Sequence, residues 1–195
     1  MKFQIIQATS QDVSWIAGLE EVTYSRNDAI PEAVLTGWHA RNPSGFSVIT
    51  NAAGGRVGHI DILPLIPGVA GPFLQGEILE REIPASWIVP EGDRTSPRDL
   101  YVESIIIKKQ PGLASRPALY QVFARFDEIV CRICEPFSVR HIYAIEASAV
   151  GKKLMLHSGF ERCETKHPRR DGHELFKSSI DSIRSRLAQV LAALG

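Results

Sequence analysis

Residues 101–118 read YVESIIIKKQPGLASRPA, and the fold turns on how they are parsed. Tyr101 to Ile107 form an apolar, β-branched run, the pattern of a central strand covered on both faces. Gly112 marks a turn, Pro117 suits the first turn of a helix, and Leu119, Val122, Phe123, Phe126, Val130 and Ile133 then recur at helical spacing. A strand, a glycine turn and an amphipathic helix in succession make an anion-binding device, because the first helical amides lack partners and the dipole end is positive. One carboxylate, Glu103, interrupts the apolar strand.

Upstream, Phe3 and Ile5 begin a first strand, and Thr9 with Asp12 three positions on forms a capping-box-like helix start. Val13, Ile16, Ala17 and Glu20 share one face of that helix. A second helix is predicted over Pro31–Arg41, ended by the turn cluster Asn42-Pro43-Ser44-Gly45. Phe46–Asn51 and Arg56–Pro64 read as a hairpin around Ala53-Gly54-Gly55. Residues 65–99, rich in proline and glycine, read as an insertion, with Gln75–Arg81 as a short helix within it. Phe73, Leu74, Ile78, Leu79, Ile83, Trp87, Ile88 and Val89 are more apolar content than a solvated loop needs, so the insertion should pack as a lid, a platform or a dimer contact.

Downstream, His141–Ile145 reads as a strand and Ala149–Ser158 as a helix stopped by Gly159. Glu161–Lys166 should pair with His173–Ser178, and residues 180–195 make an amphipathic helix with Ile183, Leu187, Val190, Leu191 and Leu194 on one face. That face needs a cover, either the rest of the domain or a second copy in a homodimer. The expected fold is α/β: a single domain over residues 1–195, with a mixed, mostly antiparallel sheet of about seven strands flanked by helices and an extra C-terminal helix.

Composition limits what such a domain can do. The 195 residues carry 22 basic and 22 acidic side chains, so there is no general attraction to nucleic acid or an anionic membrane, and any anion site must be local. No run approaches a membrane span and Met1–Ala8 alternates like a strand, so a cytoplasmic address is expected. Cys131, Cys134 and Cys163 are an odd set that fits free thiols. The CxxC at Cys131 and Cys134 falls at a helix end, where two small apolar side chains three apart are core residues. His39, His59, His141, His157, His167 and His173 show no paired spacing, and no metal site is assigned.

Lys109-Gln110-Pro111-Gly112-Leu113-Ala114 resembles the CoA pyrophosphate loop of the GNAT N-acetyltransferase superfamily, with Lys where that family has Arg or Gln. A second stretch agrees: Ala144-Ile145-Glu146-Ala147-Ser148 leading to Gly151, Leu154, Met155 and Gly159-Phe160 is similar to the family's later strand, Asn-started helix and closing Gly-Phe. The resemblance covers the element order of nearly the whole chain. It implies an N-acetyltransferase whose donor is acetyl-CoA and whose acceptor is a small-molecule or protein amine.

The resemblance also implies roles. Lys109, Gln110, Gly112, Leu113 and Ala114 would hold the pyrophosphate, and Ser148 stands where the family has Asn. The amides of Ile105 and Ile107 would hold the pantetheine arm and the thioester carbonyl. Glu103 would deprotonate the amine. Two departures bear on catalysis: Pro111 removes one amide from the loop, and Met155 occupies the position of the family's proton-donating Tyr, which a thioether cannot replace. The acid is then water or a side chain such as His157 or Tyr143, or none is needed, and a CoA-binding or regulatory domain with impaired catalysis is the alternative function. Glu77, Glu80 and Glu82 of the insertion would favour a cationic amine.

Overall fold

Alternating apolar positions in the extended segments and 3.6-residue periodicity between them pull the chain into one sheet with helices on both faces. The computed structural model describes residues 3–24, 28–108 and 115–194. Its strands are β1 Phe3–Gln7, β2 Phe46–Asn51, β3 Arg56–Leu65, β4 Arg98–Ile107, β5 Val139–Ile145, β6 Glu161–Arg162 and β7 Leu175–Ser178. They form a seven-stranded sheet in the order β1-β2-β3-β4-β5-β7-β6, in which β4 and β5 alone run parallel. The helices are α1 Val13–Thr23, α2 Glu32–Arg41, α3 Gly71–Leu74, α4 Ser115–Ala124, α5 Phe126–Ile133, α6 Ala149–His157 and α7 Ile180–Leu194. No described helix is long and apolar enough to cross a membrane.

Strand alternation sorts the core into two layers. Ile60, Ile62 and Leu100 meet Val122, Ile129 and Val130 on one face, and Met155, Ile183 and Leu187 from α6 and α7 close that layer. Leu63, Leu65 and Tyr101 meet Ile16, Leu35 and Trp38 on the other, together with Phe73 and Ile83 of the insertion. Helix α7 therefore covers its Ile183 and Leu187 against the chain's own sheet.

Three elements differ from the sequence expectation. The helix predicted over Leu119–Ile133 divides at Arg125, whose φ of −111° and ψ of 16° leave the helical region, and the bend lets Phe123 and Phe126 both pack toward the sheet. Gln75–Arg81 is not a helix. The short helix lies earlier, at Gly71–Leu74, because Gly76 takes a φ of 74° and turns the chain. The strand predicted over Glu161–Lys166 is a ladder strand over Glu161–Arg162, with one further bond from Cys163 N to Leu175 O at 2.8 Å, and the Lys166 amide instead donates to the side chain of Gln75 in the insertion.

The insertion is held chiefly through its carbonyls. Trp38 Nε1 donates to Ile83 O at 2.9 Å, Arg41 Nε to Ile88 O at 3.0 Å and Asn42 Nδ2 to Val89 O at 2.9 Å, so the end of α2 satisfies backbone acceptors of a segment lacking a sheet ladder. Arg169, 6% exposed, donates to Phe73 O at 2.8 Å, pairs with Asp171 at 2.6 Å and lies over the Phe73 ring.

Candidate functional site

Strands β4 and β5 are paired from Arg98–Val139 to Val102–Ala144 and no further, while β4 continues beside β3 to Ile107. The two parallel strands therefore diverge after Val102, and a cleft opens between them. Lys108 N donates to Val57 O on the β3 side; strand alternation then turns the amides of Ile105 and Ile107 toward the cleft edge. The cleft holds about 950 Å³ of space, mouth included, between Ile105 and Ile107 on one wall and Ser148, Gly151, Leu154 and Met155 on the other. Ser148 caps α6, its Oγ accepting from Gly151 N at 3.0 Å.

Glu103 sits where the register slips. Asp61 lies opposite Ser104 and Ile62 opposite Val102, so Glu103 is the extra, unpaired residue of a β-bulge. Its Oε2 is buried without a hydrogen-bond partner. Burial, reinforced by the nearby carboxylates of Glu20, Glu80 and Asp61, holds its pKa well above the ordinary range.

On the other side of Glu103 lies a second pocket, mainly acidic, which Glu103 shares with Asp28, Glu80 and Asp171 and with Tyr24, Arg81 and His173. Glu103 and Tyr24 line both spaces. Tyr24 Oη lies 3.2 Å from Ser104 Oγ, and burial with the charge of Glu103 keeps the phenol protonated well past its usual range. Glu80 reaches the pocket from the insertion: it accepts from Tyr101 Oη at 2.6 Å, and burial pushes its carboxyl up to about 8. Of the other insertion acids, Glu82 caps the Leu79 amide and pairs with Arg170, and Glu77 is exposed.

The structure thus brings Glu103, Ile105, Ile107 and Ser148 to one cleft. His157 is exposed at the end of α6, its Nδ1 on Lys153 O at 2.7 Å, and does not line that cleft. Tyr143 faces the insertion layer, and burial raises its phenol to about 12. Lys109, Gln110, Gly112, Leu113 and Ala114 lie outside the described residues. Sequence reasoning missed Tyr24, which no local pattern marks.

It also missed a cluster behind Glu103. Glu20 of α1 and His59 and Asp61 of β3 are each 0% exposed, and one possible donor atom from each lies within 4.8 Å of the others. The signals were a carboxylate on the apolar face of a helix and two polar residues inside an apolar strand. Burial pushes the Glu20 carboxyl up to about 7, with Asp61 adding to the shift and His59 opposing it.

No family model matches the chain, and no curated protein matches it in sequence. Solved structures do match. The loading GNATL domain of CurA from Lyngbya majuscula superposes with a TM-score of 0.62 at 13% identity, covering 93% of this chain and 99% of that one. The GphF GNAT-like decarboxylase in complex with isobutyryl-CoA gives 0.60 at 14% identity, over 90% and 98%. The aminoglycoside acetyltransferase AAC(6')-Ib in complex with coenzyme A gives 0.54 at 11% identity, over 94% and 98%. The chain has the GNAT fold, in a divergent sequence.

Proposed function

We propose that the chain is an acyl-CoA-dependent N-acyltransferase, moving acetyl from acetyl-CoA to a primary amine on a small molecule or a protein. The observation that carries this reading is Glu103: a bulge carboxylate with one buried, unpartnered oxygen that lines both the β4–β5 cleft and the acidic pocket. Acyl-CoA occupies the cleft, and the amine enters the pocket to meet Glu103 from its other side. Two of the structural neighbours, by their descriptions, hold coenzyme A or an acyl-CoA, which supports the donor.

In this reading ionised Glu103 takes a proton from the ammonium group, and the freed nitrogen lone pair attacks the thioester carbonyl. The amide of Ile105, the nearer to Glu103 along β4, donates to the carbonyl oxygen as it gains charge, and that of Ile107 to the pantetheine arm. The tetrahedral intermediate, protonated on nitrogen, collapses with loss of CoA as thiolate; the second nitrogen proton passes to that thiolate, and the proton held by Glu103 is released to solvent. Tyr24, protonated and lining the cleft, is the hydrogen-bond donor available to the departing sulfur. A cytoplasmic address, from the strand-like Met1–Ala8 and the lack of an apolar run long enough to span a membrane, and no nucleic-acid partner, from the balanced charge, belong to the same proposal.

A thermal-shift titration with acetyl-CoA and free CoA, followed by thiol release in the presence of amines, tests the reading. A ligand at a hundred times its Kd stabilises the fold by about 2.7 kcal/mol, a shift easily seen. Glu103→Gln is expected to keep that shift and to lose turnover by at least a hundredfold. Absence of any shift at millimolar CoA would sink the proposal. Met155, which lines the cleft where a proton donor would serve an enzyme, favours a second reading as a CoA-binding domain without turnover. A CoA shift with no thiol release from any amine would select that second reading.

A further inference from the structure

Glu20, His59 and Asp61 pose a problem of charge. Each side chain is fully buried, and each carries an atom with no hydrogen-bond partner: Glu20 Oε1, His59 Nε2 and Asp61 Oδ1. A native interior leaves few such atoms without a reason, and two carboxylate oxygens among them in one cluster call for a cation. Their remaining polar atoms are used. Glu20 Oε2 accepts from Ile30 N at 3.0 Å, and Asp61 Oδ2 lies 2.9 Å from His59 Nδ1.

The Asp61 contact determines what the imidazole can do. Nδ1 is the ring atom that faces Asp61, and an ion that takes the place of the proton between Nδ1 and Asp61 Oδ2, 2.9 Å apart, meets a ring lone pair and a carboxylate oxygen in a dry site. Two carboxylates and a neutral imidazole carry two negative charges, which a divalent cation cancels without either acid having to stay protonated. His59 Nδ1 and Asp61 Oδ2 already stand about as far apart as two ligands of one first-row ion, and a donor atom from each of the three residues lies within 4.8 Å of the others, so a side-chain shift of Glu20 completes the set. An imidazole in the set argues against calcium and magnesium, which take oxygen donors.

We infer that Glu20, His59 and Asp61 form a buried site for a divalent transition ion of the zinc class, one layer behind Glu103. The ion ties α1 to β3 at the level of the bulge. It does so independently of whether the chain transfers acyl groups.

The full-length chain, stripped with a chelator and dialysed, is offered Zn²⁺ or Co²⁺ and passed through gel filtration. The expected result is one ion retained per chain, a Tm that rises with Zn²⁺ and falls again with chelator, and a Co²⁺ spectrum showing ligand-field bands without thiolate charge transfer. Glu20→Gln, nearly the same shape, is expected to weaken Zn²⁺ binding at least tenfold. No retained ion, thiolate bands that locate the metal on the cysteines, or equal binding by Glu20→Gln would each overturn the inference. Should Glu20→Gln fail to fold, the stoichiometry and Co²⁺ spectrum of the unsubstituted chain decide the matter alone.

Discussion

Glu103 shows how one residue's chemistry depends on a register slip. Without the bulge, Glu103 would take its place in the β3 ladder; as the extra residue it stands between two spaces with an oxygen out of water. The sequence marked Glu103 because a carboxylate inside a β-branched run is conspicuous. Tyr24, Glu20 and Asp61 come from other elements, so their proximity to Glu103 is a tertiary fact that no local spacing encodes. Glu80 allows a test that does not require activity. Folding raises its pKa from about 4.5 to about 8, chiefly through burial, so between those values the folded chain holds a proton that the unfolded chain has released. Its contribution to stability therefore falls as pH rises through that window and levels off above it. Glu80→Gln removes this term while keeping an acceptor for Tyr101. The Tm of the variant, measured against the unsubstituted chain, is expected to be higher at pH 8.5 than at pH 5; a difference independent of pH would contradict the assignment.

At the scale of elements, the strands and the larger helices were legible because their apolar periods are long and unambiguous. The insertion was not. Its apolar residues mark it as packed, but its shape depends on partners remote in sequence: Trp38, Arg41 and Asn42 of α2 and its end, and Arg169 in the turn before β7. The helix expected over Leu119–Ile133 read as continuous because its spacing holds through Arg125, and only packing of both phenylalanines against the sheet explains the bend. Strand β3 supplies an element-scale prediction at Gly58. A Cβ there would stand 2.3 Å from Ile106 O and 3.1 Å from Ile107 Cδ1, so β3 and β4 approach too closely for any side chain. Gly58→Ala is expected to cost about 1–3 kcal/mol, the range for overpacking, measured by urea unfolding. Since Ile107 is one wall of the cleft, the same substitution should also weaken the CoA shift.

For the whole molecule, the seam between β4 and β5 divides the sheet into two blocks. One is β1–β4 with α1, α2 and the insertion; the other is β5–β7 with α6. The family's element order was readable from residue 101 outward, but nothing in the sequence gave the length of that seam. The cohesion of the molecule across its middle rests on a short parallel ladder, on α4 and α7 packed beneath it, and on Arg169, which reaches from the turn before β7 to the insertion. Such a body behaves as a wedge-shaped spring with its open end at the cleft. A guest that grips both blocks closes the circuit of contacts that the strands leave open, and its binding energy is felt as stiffness far from the guest itself. Amide hydrogen exchange should report this directly. Leu100–Val102 and Ile142–Ala144 are expected to exchange faster than the β2–β3 ladder in the free chain, and to slow by an order of magnitude or more when CoA is present. Unchanged rates at the seam in the presence of bound CoA would mean that the two blocks are already locked together without it.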